Sequence, residues 1–128
     1  MSEEQGTQEA IATVQYLKEV CAAFQVQLVV YLNPTYIARD SPLEKEMKQR
    51  GYTPPNYQSI FQVISESQQF VVPIYVGLWD EGLATNINTP TTGKEINAMR
   101  RALKVFNSTQ NFGHLAQSFK EERINPVE

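Results

Sequence analysis

The chain has 128 residues, 41% of them hydrophobic, a formal net charge of −3 and one cysteine, the proportions of a single domain over residues 1–128 with one core. The acidic balance argues against nucleic acid as a partner, because phosphate binding rests on Lys and Arg releasing counterions. One cysteine excludes a disulfide framework or a multi-cysteine metal site within the chain and fits a cytoplasmic protein, and no apolar run reaches the roughly 18 to 20 residues of a membrane span.

Residues 1–6 are expected to be a flexible N-terminus, and MSEEQGTQE is acidic and unlike a secretory signal. From Thr7 to Phe24, Ala10, Val14, Leu17, Cys21 and Phe24 recur at spacings of three and four, which predicts one face of a helix. Cys21 falls on that stripe and is read as a small core residue, not a nucleophile. Val26 to Leu32, VQLVVYL, is short and β-branched, as expected of a parallel strand covered on both faces. The polar hinge Asn33-Pro34-Thr35-Tyr36-Ile37-Ala38-Arg39-Asp40 follows.

Ser41-Pro42-Leu43-Glu44 then opens a helix. Ser41 can cap it, Pro42 fills the first helical position and Glu44 can close a capping box. The helix should run to about Arg50 and stop at Gly51. Tyr52-Thr53-Pro54-Pro55 is an extended connector. Tyr57, Ile60, Phe61 and Ile64 stripe a helix from Pro55 to about Gln69. Val71 to Gly77, VVPIYVG, reads as a second strand, and Pro73 places it at an edge or delays regular pairing until after that residue.

A long polar loop spans Leu78 to Gly93, the kind of loop that is often functional. Thr92 and Glu95 form a capping pair, and Ile96, Met99, Leu103 and Phe106 stripe a helix to about Ser108. Arg100, Arg101 and Lys104 on it read as a solvated face. Asn107-Ser108-Thr109 has the form of a glycosylation sequon and is taken as chance. Phe112, Leu115 and Phe119 predict a short last helix, with 123–128 as a tail. The order is α-β-α-α-β-α-α. A strand, a helical crossover and a strand predict an α/β fold with two short parallel strands. Two strands leave two open edges, which predicts a homo-oligomer or a sheet-completing protein partner.

Ligands in α/β folds bind beyond the carboxyl ends of parallel strands. That places Asn33, Thr35, Tyr36 and Arg39 after the first strand and Trp79, Asp80, Glu81 and Asn86 after the second. Asn33, Tyr36, Arg39 and Trp79 are candidate ligand-binding residues, with Arg39 suited to an anion by its forked guanidinium and Trp79 to stacking. Asp80 and Glu81 are candidate general acid/base groups. Each also has a purely structural reading. Asn33-Pro34 starts turns, Tyr36 and Trp79 can cover core ends, and Arg39 can pair with Asp40 or Asp80. His114, the only histidine, has no nucleophile or ligand set beside it in sequence and is read as structural. No GxGxxG or Walker pattern is present.

LNPTYIARDSPLEKEMKQRGYTPPNYQSIFQVI, then VPIYVGLWDEGLA and ALKVFNSTQNF, resembles the distal half of a radical SAM barrel, in the MiaB-like and elongator-like group of tRNA-modifying and uncharacterised members. The likeness covers about Ala10 to Phe112 and implies a partial (β/α) barrel whose mouth is lined by Asn33, Tyr36, Arg39, Asp80 and Glu81. In that family a CxxxCxxC loop holds a 4Fe–4S cluster that cleaves S-adenosylmethionine. This chain has no such loop, so the resemblance implies S-adenosylmethionine or a cluster only through a cluster-bearing partner. Three functions are therefore expected in turn. The first is an accessory domain that binds a small anionic ligand or completes a partner's sheet. The second is a small enzyme using Asp80 or Glu81 near Arg39, and the third an oligomerisation module.

Overall fold

Two strands joined through two helices run side by side in the same direction. The computed structural model describes residues 3–34, 40–51, 56–78 and 93–124. Its elements are α1 (Glu3–Ala23), β1 (Val30–Leu32), α2 (Pro42–Gln49), α3 (Tyr57–Ser67), a 3₁₀ turn (Gln68–Phe70), β2 (Ile74–Val76), α4 (Gly93–Thr109) and α5 (Phe112–Ile124). This is the predicted order with one added turn. Among the described residues it is a helix-rich α/β arrangement with one parallel strand pair.

The register sets Val30 against Ile74, Tyr31 against Tyr75 and Leu32 against Val76. The Val30 amide donates to the Pro73 carbonyl at 2.9 Å, and the Gly77 amide donates to Leu32 at 2.8 Å. Pro73 thus serves the ladder only as an acceptor, and regular pairing begins after it, as its missing N–H requires. Both strands are shorter than the apolar runs that contain them. Val71 ends the 3₁₀ turn in the left-handed region, at φ 52 and ψ 58, which an extended strand cannot include.

The expectation of a doubly covered first strand is not met. Val30 is buried, but Val29 and Tyr31 are 55% and 66% exposed. Alternation along β1 puts Val30 on the core side and these two on the other, so only one face of the strand is covered. An apolar run alone does not distinguish the two cases when the outer face carries valine and tyrosine.

Helix starts follow their caps. The Glu44 amide donates to Ser41 Oγ at 3.1 Å, and Glu44 Oε1 reaches back to accept from the Asp40 amide at 3.0 Å. Arg50 caps the far end, and Gly51 takes φ 72, a conformation glycine adopts without a side-chain clash. Asn56 caps α3 by accepting from the Ser59 amide at 2.9 Å, so this helix begins at Tyr57 and not at Pro55. Two ends differ from expectation: α1 begins at Glu3, inside the expected N-terminal segment, and α5 continues through Arg123 to Ile124, inside the expected tail. Thr92 of the second capping pair lies outside the described residues.

The core forms where α3, α4 and α5 meet the inner face of the sheet. Ile64, Ile74, Leu103 and Leu115 are wholly buried, with Phe106 and Phe119 nearly so. Each such side chain contributes about 1.5–3 kcal/mol relative to exposure. Phe61 of α3 stacks on Phe119 and Phe112 of α5, with ring centroids 4.6 and 5.7 Å away. The buried residues of α1 are Thr7, Ile11 and Val14, whereas Leu17 and Phe24 of the predicted stripe are 38% and 75% exposed. Both series obey helical spacing and share Val14, so periodicity could not choose between them. Cys21 is half-buried.

Candidate functional site

Parallel pairing brings the carboxyl ends of β1 and β2 together, and the residues just beyond them share a rim. Asn33 follows β1 there, and Gly77 follows β2. A side-chain carbon placed on Gly77 would lie 3.0 Å from Asn33 Oδ1, 3.2 Å from Tyr31 Cε1 and 3.4 Å from the Tyr31 hydroxyl. The bare glycine therefore lets a tyrosine ring and a primary amide fold across onto its own strand. Asn33, a predicted ligand-binding residue, is exposed on this rim. Tyr36, Arg39 and Trp79, the acid/base candidates Asp80 and Glu81, and Thr35 and Asn86 lie outside the described residues. The rim partners that sequence reasoning missed are Tyr31 and Gly77. Tyr31 was hidden by its place in an apolar run.

The two edges of the sheet are built differently. Since Pro73, Tyr75 and Gly77 face β1, the amides and carbonyls of Ile74 and Val76 point the other way. Side chains of α4 and its C-terminus meet them. The Val76 amide donates to Asn107 Oδ1 at 2.8 Å, and Asn107 Nδ2 donates to the Val76 carbonyl at 2.9 Å. One turn on, the Ile74 amide donates to Gln110 Oε1 at 2.9 Å, and Gln110 Nε2 donates to the Ile74 carbonyl at 2.7 Å. Two primary amides thus reproduce the bonds of a third strand.

The signal for this clamp was present in the sequence. Asn107 and Gln110 continue the spacing of Leu103 and Phe106, so polar amides occupy positions that periodicity assigns to the core. Gln110 holds its place in the left-handed region, at φ 55, with its amide donating to Phe106 at 2.7 Å in the manner of a single-bond C-terminal cap. The clamp also bears on the sequon. Asn107 spends its side-chain amide on Val76, so a glycan there would dismantle the edge of β2.

Among the described residues the outer edge of β1 has no such cover. Val30 and Leu32 bond toward β2, which turns the Tyr31 amide and carbonyl outward, where they meet no partner among the described residues. In and just before β1 in the chain, Phe24 is 75% exposed, Val26 56%, Val29 55% and Tyr31 66%. The turn that presents them is firm. Gln25 takes φ 57, donates to Ala22 at 3.2 Å, and Val26 donates to Cys21 at 2.9 Å, a paired-bond helix end.

His114 is exposed near the start of α5, where its amide donates to the capping Asn111 Oδ1 at 3.0 Å. Its contacts are those of a helix start. The donor set of the chain does not fit an iron–sulfur cluster: Cys21 sits half-buried on α1 and supplies one thiolate, where such clusters take several. Among the described residues no helix is long and apolar enough to cross a membrane. No family model, curated protein or solved structure matches this chain.

Proposed function

We propose that this chain is a cytoplasmic accessory domain without catalysis of its own, which completes the sheet of a protein partner along the outer edge of β1. The observation that carries this reading is the contrast between edges: β2 is closed by Asn107 and Gln110, while the Tyr31 backbone on β1 has no partner among the described residues and lies beside exposed apolar side chains. Exposed, uncharged strand edges pair with other chains, and strand addition is a common mode of protein recognition. The fold is offered as a part of a radical SAM barrel deprived of its other strands, an origin that supplies a reason for two strands standing alone. A neighbouring reading frame with the CxxxCxxC loop would support that origin.

The test is photo-crosslinking in cells. A benzophenone amino acid at Tyr31 is expected to give an adduct of discrete mass, and the same group at Lys104 none. Equal labelling from both positions, or none from Tyr31, removes the reading. Asn33 and the Tyr31 hydroxyl over Gly77 favour a second reading, a small anionic ligand at the rim. A carboxylate held there at a hundred times its Kd should stabilise the fold by about 2.7 kcal/mol, and Asn33→Ala should abolish the gain.

A further inference from the structure

We infer that the occupant of the β1 edge is a second copy of this chain, paired across a twofold axis into a four-stranded sheet of order β2-β1-β1′-β2′. This rests on the sheet-completion reading above and names its partner. Three observations carry it.

The first is which edges remain. With Ile74 and Val76 bonded to Gln110 and Asn107, the sheet edge left open among the described residues is that of β1, and two identical chains would join their sheets through β1 and β1′. A twofold contact needs a surface that fits itself, and here one open edge meets its own copy. The second is charge. No Asp, Glu, Lys or Arg occurs from Val20 to Ala38, although charged residues make up 20% of the chain. Edges protected against self-pairing carry charges, lysine above all. Two copies of net charge −3 that pair along this stretch bring none of its side chains into like-charge contact. The third is the backbone. Tyr31 turns both its amide and its carbonyl outward, so antiparallel pairing lets Tyr31 and its copy exchange two hydrogen bonds as a directly opposed pair. Val29 and Tyr31 then line a continuous apolar outer face.

The arrangement also fixes where assembly stops. Each dimer ends in two clamped β2 edges, so the sheet closes at four strands and does not propagate.

The experiment uses the purified chain in sedimentation with hydrogen exchange, from about 5 to about 500 μM, since an assembly linked to folding depends on concentration. The expected species has twice the 14.6 kDa chain mass. The Tyr31 amide should exchange at least about tenfold more slowly at the high concentration, while the Gly77 amide, paired within the chain, stays protected throughout. Val29→Lys and Tyr31→Lys lie at exposed positions and should keep the circular dichroism of the parent while weakening association at least about tenfold. A monomer across the range, a dimer in which Tyr31 still exchanges freely, or an open-ended series of larger species would each overturn the inference. A monomer that nonetheless gives a crosslink to another protein from Tyr31 would overturn the second copy and leave the sheet-completion reading standing.

Discussion

The two margins of this small sheet solve one problem in opposite ways. A strand edge exposes a row of donors and acceptors, and burying them without partners costs about 1–3 kcal/mol each. On β2 a helix end meets that demand with two primary amides, each giving and accepting at one residue. On β1 the Tyr31 amide and carbonyl meet no partner among the described residues, and Val29 and Tyr31 themselves are exposed. The difference teaches that a two-stranded parallel sheet can be half finished by its own chain. The clamped side is a structural element, and the open side is the one to which the proposed partner is assigned.

The largest expected effect breaks the clamp. Asn107→Leu removes both bonds to Val76 and leaves its amide and carbonyl unpaired against an apolar group, at a cost of about 2–4 kcal/mol. Urea unfolding checks it, with Asn33→Ala on the exposed rim as the contrast at no more than about 0.5 kcal/mol. Equal losses at the two positions would mean that the edges do not differ in energy. Gln110 sharpens the point, because its left-handed backbone conformation costs a non-glycine residue about 1 kcal/mol. Gln110→Ala should lose the bonds to Ile74 and keep that cost, while Gln110→Gly loses the bonds and sheds it. Alanine is therefore expected to be the worse of the two by about 1 kcal/mol.

Much of this arrangement was legible in the sequence, for identifiable reasons. Ser41-Pro42 and Gly51 mark their helix because capping and left-handed backbone depend on single residues. Pro73 marked where pairing could begin, because it lacks a donor. Parallel order followed from the intervening helices. The face of α1 was not legible, since two interleaved stripes share Val14 and only the position of α3 selects Thr7, Ile11 and Val14. The single cover on β1 was hidden because Val29 and Tyr31 suit either a buried or an open face. The clamp needed three-dimensional knowledge that the stripe of Leu103 and Phe106 ends beside a strand edge. Of the candidate site, Asn33 lies on the rim beyond β1, and its hinge neighbours Tyr36 and Arg39, with Trp79, Asp80 and Glu81, lie outside the described residues.

Val71 gives a smaller effect of opposite sign at the entrance to the clamped strand. A β-branched residue at φ 52 is strained, and 81% exposure leaves little packing to hold it there. Val71→Asn, which accepts the left-handed region without the entropy that glycine adds to the unfolded chain, should raise stability by about 1 kcal/mol. A thermal melt that falls would show that Val71 contributes contacts at β2 outweighing its backbone cost.

The smallest expected change in stability is at Gly77, where the open side can be probed without charge. Alanine there meets Asn33 Oδ1 at 3.0 Å and Tyr31 Cε1 at 3.2 Å, closer than ordinary contact. Both obstructing atoms belong to exposed side chains that can rotate away, and a strand gains from losing a glycine by about 0.5 kcal/mol. The two terms nearly offset, so unfolding should shift by no more than about 0.5 kcal/mol. Local structure should nonetheless change. Displaced from Gly77, the Tyr31 ring should show altered aromatic resonances, while the Val76 and Ile74 amides behind the clamp keep theirs. If Gly77→Ala instead destabilised the fold as much as Asn107→Leu, Tyr31 and Asn33 would be fixed parts of the structure. The β1 margin would then be as rigid as its counterpart, and the contrast between a closed edge and one left free to bind would fail.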